Sequence, residues 1–142
     1  MATLATVIDE IQNDLATISG IRAAPHEPPD QMSAFPFIVC YPVSGEWNSD
    51  IPGSKKGLHN IVVELHIARK ALPRDVAAAL VYCDSIPNML LKAVSPTGDL
   101  FNNSISTFER ITYRFGNLGW GDTATVGFRF EILNVKLQSL IT

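Results

Sequence analysis

The C-terminal third of the chain contains a long stretch in which apolar and polar side chains alternate. From Ala124 to Ile132 every second residue is apolar, and the intervening positions include Arg129 and Glu131. A period of two predicts a strand with one buried face. Such a strand needs neighbours in a sheet and a second layer over its apolar side, so this feature constrains the fold more than any other.

The alternation changes phase after Ile132, because Leu133, Val135 and Leu137 are apolar while Asn134 and Lys136 are polar. A shift by one residue would move the apolar set to the other face of the sheet. The pattern therefore predicts either a β-bulge near Ile132–Leu133 or a strand end that packs against something different.

The remaining periodic segments complete a fold of the α+β class in one domain, 1–142. Apolar spacing predicts two helices and three further strands, at 3–19, 35–43, 59–70, 72–94 and 105–115. The predicted order is α-β-β-α-β-β, with a mostly antiparallel or mixed sheet covered by two helices and a long C-terminal hairpin. Gly20 is expected to end the first helix, and Pro87 to kink or split the second.

Two stretches are predicted to be long loops, 44–58 and 115–122, because both are rich in glycine and polar residues. Loops of more than about 12–15 residues tend to be functional or disordered. Each contains a tryptophan, and tryptophans are enriched at interface centres. We therefore expect these loops to bind a partner, with glycines as hinges and with Trp47, Lys55, Lys56 and Trp120 among the contact residues.

Composition and charge narrow the classes of function. Charged residues make up 18% of the chain, below the usual fraction of about 25%, which is typical of a chain with interface surface. The net charge of −3 and the pI near 5.5 argue against a general nucleic-acid binder. No apolar run reaches 18 residues, and the N-terminus lacks the basic start of a signal peptide, so a soluble cytoplasmic chain is expected.

The sequence shows no catalytic or cofactor pattern. The glycines of 116–121 lack the dinucleotide-binding spacing, and no phosphate-binding loop or nucleophile elbow is present. His59 and His66 lie seven residues apart on one predicted strand and so should point to opposite faces. Cys40 and Cys83 are expected to be small buried apolar residues in a reducing compartment, with a disulfide between them as the less favoured alternative. No catalytic residue, cofactor or metal is therefore predicted.

Charged residues in the predicted strands have two interpretations. Glu64, Arg129 and Glu131 lie in strands and would ordinarily form cross-strand pairs, each worth about 0.2–1 kcal/mol. Charges on a rigid sheet can also set the rotation between subunits, which gives specificity more than affinity. Arg129 and Glu131 are therefore counted among the candidate partner-binding residues.

Taken together, the order of elements and the character of the segment VVELHIARKALPRDVAAALVYCDSIPNML resemble the tail terminator proteins of long-tailed bacteriophages. The resemblance covers essentially the whole chain and rests on architecture, since no short motif carries it. The kink expected at Pro87 and the proline-rich segment 25–36 have no counterpart in the family pattern.

The resemblance implies a structural virion protein that forms a hexameric ring at the head-proximal end of the tail tube. Such a ring stops tube polymerisation and presents the head-attachment surface. The implied partners are further copies of the chain, the tail tube protein and the head–tail connector or neck protein. DNA would pass through the lumen without specific binding, and no membrane is involved. The implied location is the virion, after assembly in the host cytoplasm.

Three alternatives stay open at the level of sequence. One is a related neck or tail-completion component. Another is a small α+β enzyme or ligand-binding module, which an apolar pocket with converging acids and His66 would support. The third is a dimeric regulatory domain of the ferredoxin-like type, which would need a displaced first strand.

Overall fold

The α+β class is confirmed by the computed structural model, which describes residues 4–21, 35–48, 54–68, 75–90, 108–120 and 123–140. Two helices and four strands follow one another along this part of the chain. They are α1 (Leu4–Ala16), β1 (Phe37–Asn48), β2 (Ser54–Ala68), α2 (Asp75–Leu90), β3 (Arg110–Trp120) and β4 (Thr123–Leu140).

The four strands form one antiparallel sheet in the order β1-β2-β4-β3. The two longest strands, β2 with 15 residues and β4 with 18, lie in the middle. β3 pairs with β4 only as far as Leu133, so the described residues form three strands at the end of the sheet near Trp47. We call this three-stranded part the far end of the sheet.

Both helices pack on one face of the sheet, which we call the helix face. The buried cluster there combines side chains of α1, α2, β1, β2 and β4. Its members are Val7, Ile11, Leu15, Ile38, Cys40, Ile61, Val63, Leu65, Ile86, Leu90, Phe128, Phe130, Ile132, Val135 and Leu137. A smaller cluster on the opposite face contains Phe37 and Val39. Burial of this apolar area is the main force that holds the layers together.

α1 also satisfies the backbone of the edge strand β1. The Cys40 backbone N–H donates to Gln12 Oε1 at 2.9 Å, and Gln12 is buried. Gln12 and Asp14 are both buried, although helical spacing puts them among the polar residues opposite the apolar side of α1. Gln12 replaces a neighbouring strand at this edge, since a buried N–H needs an acceptor.

The predicted β-bulge in β4 is confirmed. Pairing with β2 jumps from His59↔Val135 to Ile61↔Ile132, and Asn134 has φ 57°. The extra residue explains the phase change, because Val135 stays on the helix face and does not move to the other side.

Asn60 connects the β4 bulge to a second irregularity in β1, between Pro42 and Ser44. The Asn60 side-chain amide donates to Ser44 Oγ at 2.9 Å, and its Oδ1 accepts from the Asn134 backbone N–H at 3.1 Å. One side chain of β2 therefore holds the irregular segments of both neighbouring strands.

The two predicted loops are much shorter than expected. Within 44–58, the ends 44–48 and 54–58 are paired strand residues, and within 115–122 residues 115–120 belong to β3. The predictions were wrong because glycine and polar content resembles a loop, whereas these residues are held by regular pairing with β2 and β4. Residues 49–53 and 121–122 lie outside the described residues.

Two glycines of the first segment are packing positions and not hinges. Gly45 and Gly57 lie on the helix face beside His59, and a Cβ at either would come within 2.3 Å of the His59 ring. A Cβ at Gly57 would also meet the Trp47 ring at 2.7 Å. The two aromatic side chains therefore occupy the space that the glycines leave.

α2 is continuous from Asp75 to Leu90, so Pro87 does not split it. Pro87 lies one turn before the end of the helix, and it removes the backbone hydrogen bond that residue 87 would otherwise donate. α1 ends at Ala16, three residues before the predicted end at residue 19, so Gly20 is not the residue that ends the helix. Gly20 instead lies in a following turn, with φ 94°, which the Ile21 N–H closes by donating to the Ile18 carbonyl. The proline-rich segment 25–36 lies almost entirely outside the described residues.

Candidate interaction surfaces and a buried polar network

A network of polar side chains lies on the sheet face opposite the helices. Glu64 is its centre: Tyr41 donates its hydroxyl to Glu64 Oε2 at 2.5 Å, and His66 Nε2 lies 2.9 Å from Oε1. The other His66 nitrogen, Nδ1, lies 2.6 Å from Thr125 Oγ1. Arg129 approaches Glu64 Oε2 at 3.5 Å. Because these residues come from β1, β2 and β4, the network ties three strands together.

Arg129 and Glu131 extend this network along β4. Arg129 Nε lies 3.4 Å from Glu131 Oε1, and its side chain is 22% exposed, whereas that of Glu131 is 44% exposed. At the buried end of the network, His66 stacks on Phe37, with ring centroids 4.5 Å apart and ring planes within 4° of parallel. The network thus runs from a fully buried aromatic pair to a partly exposed ion pair.

The electrostatic state of the network follows from its contacts. Burial raises the pKa of Glu64, but the hydrogen bonds from His66 and Tyr41 and the charge of Arg129 outweigh it, so the pKa lies below the ordinary value of 4.5. Burial, together with the hydrogen bond to Glu64, raises the pKa of Tyr41 to about 12. Glu64 is therefore an anion that holds its neighbours in place.

This geometry favours a structural role for the network. Both carboxylate oxygens of Glu64 and both ring nitrogens of His66 are engaged, and His66 is fully buried. His59 and His66 lie on opposite faces, as the alternation predicts. Among the described residues no group of three or more His, Cys, Asp or Glu side chains is placed to hold a metal ion.

The two cysteines are separate free thiols. Cys40 is buried in β1, where burial raises the pKa of its thiol, and Cys83 is partly buried in α2. Cys40 agrees with the predicted small buried residue, and Cys83 does so only in part.

We expect Glu64→Gln to reduce the loss of stability in acid. Because folding lowers the pKa of Glu64, its stabilisation is complete above the ordinary value and is lost as the pH falls through the folded value. Chemical denaturation measures the free energy of unfolding, which should therefore fall less between about pH 5 and about pH 3 for Glu64→Gln than for the unmodified chain.

Glu131→Gln is the matched control for this measurement. It removes a carboxylate of the same network that is 44% exposed, so the pH dependence of its free energy of unfolding should stay close to that of the unmodified chain. If both variants kept the full acid dependence, Glu64 would not be the group responsible.

The edge strand β3 exposes aromatic side chains on the helix face. Tyr113 is 61% exposed and Phe115 41% exposed, although both pack partly on Phe128. Interaction with Cys83 of α2 raises the pKa of Tyr113. Leu80 and Val81 of α2 are also exposed.

The far end of the sheet has a second exposed group. Trp47 is 43% exposed and packs its edge against His59, with ring centroids 4.4 Å apart. Cavities of about 250 and 280 Å³ lie on either side of β1 here, and neither is lined by His66. The pocket of converging acids around His66 that would favour an enzyme is therefore not found at these two cavities.

The predicted partner-binding residues fall in three places. Trp47, Lys55 and Lys56 lie on the paired strands of the far end, where Lys56 is partly buried on the face opposite the helices. Trp120 pairs with Thr123 at the other end of the sheet, so the two tryptophans lie at opposite ends and in strands, not in loops. Arg129 and Glu131 are brought together in the polar network.

Sequence reasoning missed the exposure of Tyr113 and Phe115. Both lie on the helix face, and only the strand order shows that β3 lies at the edge, beyond the main cover of the helices. No signal within the strand itself distinguishes an edge position from a central one.

Comparison with known proteins adds no family assignment. No protein-family model matches the sequence, and no curated protein matches it. In the part of the chain that the structure describes, no helix combines the length and apolar character needed to cross a bilayer.

Proposed function

We propose that this chain is a structural virion protein of a long-tailed bacteriophage that forms a ring at the head-proximal end of the tail tube. The ring would end tube polymerisation and provide the surface for head attachment. The proposal follows the resemblance in element order and in the segment from strand to helix, and it includes the long C-terminal hairpin formed by β3 and β4.

The observation that carries the proposal is the pair of different exposed surfaces on one sheet. A closed ring needs each subunit to present two distinct patches that fit each other. The β3 edge with Tyr113 and Phe115 is one candidate patch, and the far end with Trp47 is another. Contiguous exposed apolar side chains of this kind often mark interaction sites.

The partner-binding roles follow from these positions. Lys55 and Lys56 at the far end and Trp120 at the opposite end would face the tube and the head-side neck protein, one at each end of the sheet, whereas Trp47 would lie in the contact between subunits. Arg129 and Glu131 would set the rotation between subunits. The net charge of −3 suits a lumen through which DNA passes without specific binding.

The direct test is to add the purified chain to tail tube protein from the same genome while the tubes polymerise. Under the proposal, electron microscopy shows tubes that stop growing and carry one additional ring at one end. Unchanged tube lengths together with bare tube ends, at a molar excess of the chain, would contradict the proposal.

A further inference from the structure

The two edges of the sheet are protected very differently. Natural edge strands are usually blunted by proline, lysine, bulges or a covering element. β1 has such devices in Pro42, the irregularity before Ser44 and the Gln12 cap on Cys40. The segment 111–118 of β3 contains no proline or lysine, and it exposes Tyr113 and Phe115. β3 is thus a regular strand with an unpaired outer edge among the described residues.

Beyond its protected part, β1 has a short segment, 44–48, in which every residue is exposed. Gly45 and Trp47 lie on the helix face, because they pair with His59 and Gly57. Glu46 lies on the opposite face, where it pairs with Leu58 of β2. The segment therefore presents an aromatic ring on one face and a carboxylate on the other.

β3 presents the complementary arrangement. Tyr113 and Phe115 lie on the helix face, and Arg114 lies exposed on the opposite face. Arg114 also stands directly across from Arg129, and like charges in opposed positions are unfavourable. A carboxylate on the outer side of β3 would offset that repulsion.

We propose that the β3 edge of one copy pairs antiparallel with segment 44–48 of the next copy, so that the sheet continues from subunit to subunit. The pairing that satisfies both faces sets Arg114 opposite Glu46 and Tyr113 opposite Trp47, with Thr112 opposite Asn48. The inference rests on the proposed ring and identifies the two patches that close it.

The strand directions support a head-to-tail junction over a two-fold one. The four strands of each copy alternate in direction across the order β1-β2-β4-β3. An antiparallel junction between β3 and the next β1 therefore leaves every copy pointing the same way, as cyclic symmetry requires. Pairing of β3 with β3 would reverse alternate copies and would end at a dimer.

The junction is short and staggered. It is limited to about five residue pairs, because α1 occupies the β1 edge at Cys40. Within one copy Arg114 pairs with Arg129, which in turn pairs with Glu64 of β2, whereas Glu46 pairs with Leu58 of β2. Setting Arg114 of one copy opposite Glu46 of the next therefore shifts the neighbouring copy along the strand direction by six residues (64 − 58), or roughly 20 Å. A closed sheet accommodates such an offset by tilting its strands.

Charge reversal tests the predicted contact, with sedimentation or native mass spectrometry as the readout. Arg114→Glu alone and Glu46→Arg alone should each raise the concentration needed for assembly at least tenfold, because each variant places like charges in contact. The double variant should restore assembly to within a few-fold of the unmodified chain. Circular dichroism of each variant verifies that the chain is folded.

Cysteine pairs provide an independent test. Oxidised Thr112→Cys/Asn48→Cys should give covalent multimers larger than dimers, whereas each single variant should remain uncross-linked. A covalent dimer from Thr112→Cys alone would overturn the head-to-tail junction in favour of β3–β3 pairing.

The outcomes separate the two proposals. In one outcome, both single charge variants form oligomers normally while the cysteine pair gives no cross-link. That result would overturn the junction between β3 and segment 44–48 but would leave the ring proposal intact. An unmodified chain that neither assembles at any concentration nor caps tail tubes would overturn the ring and the junction together.

Discussion

Gly127→Ala should destabilise the chain by about 3 kcal/mol, which corresponds to a fall of roughly 10 °C in Tm. A Cβ at Gly127 would lie 1.8 Å from the Leu65 carbonyl oxygen and 3.2 Å from the His66 Cα. These atoms belong to the backbone of β2, so no side-chain rotation relieves the overlap. β2 and β4, the two central strands, would have to separate. Thermal and chemical denaturation measure the effect.

Gly116→Ala is the matched control, since Gly116 pairs directly with Gly127 across β3 and β4. A Cβ at Gly116 would meet nothing within 4 Å. The same substitution one strand away should therefore change the stability by less than about 0.5 kcal/mol. Equal effects at the two positions would show that loss of strand flexibility, and not the contact with β2, determines the result.

The second large effect is expected for His66→Ala, at about 3 kcal/mol of destabilisation. The substitution leaves a cavity beneath Phe37, and it removes the partner of Thr125 and one of the hydrogen bonds to Glu64. The variant should still assemble when it is held well below its Tm, because the network serves the sheet and not a reaction. Denaturation and native mass together test both parts.

Thr125→Val provides the comparison within the same network. It removes only the hydroxyl that lies 2.6 Å from His66 Nδ1, so a loss of about 1 kcal/mol is expected. A His66→Ala variant as stable as the unmodified chain would contradict the structural role of the network. Turnover of a substrate that disappears in His66→Ala would instead favour the enzymatic alternative.

Much of the fold could be predicted because each strand carries its own alternation. The pattern in β4 indicated both the buried face and the bulge, and the apolar spacing of α1 indicated its core side. The errors have a common cause in neighbouring elements. Gln12 is buried because it accepts a hydrogen bond from the edge strand β1. Gly45 and Gly57 lie in strands beside His59 and Trp47, whose rings occupy the space that a side chain at either glycine would need.

The candidate site was less accessible to sequence reasoning. Arg129 and Glu131 were recognised as strand charges, but their connection through Glu64 to His66 depends on the register of β2 against β4. The exposure of Tyr113 depends on strand order, which alternation within a strand does not contain. Both tryptophans were expected in loops, whereas Trp47 and Trp120 lie in strands at opposite ends of the sheet.

The ring is tested by the native mass of the chain across a concentration series, from native mass spectrometry or from light scattering behind a sizing column. We expect one discrete closed oligomer, a hexamer if the phage resemblance holds, that forms as concentration rises without passing through a stable dimer. A tight dimer that grows no further at any concentration would contradict the head-to-tail ring.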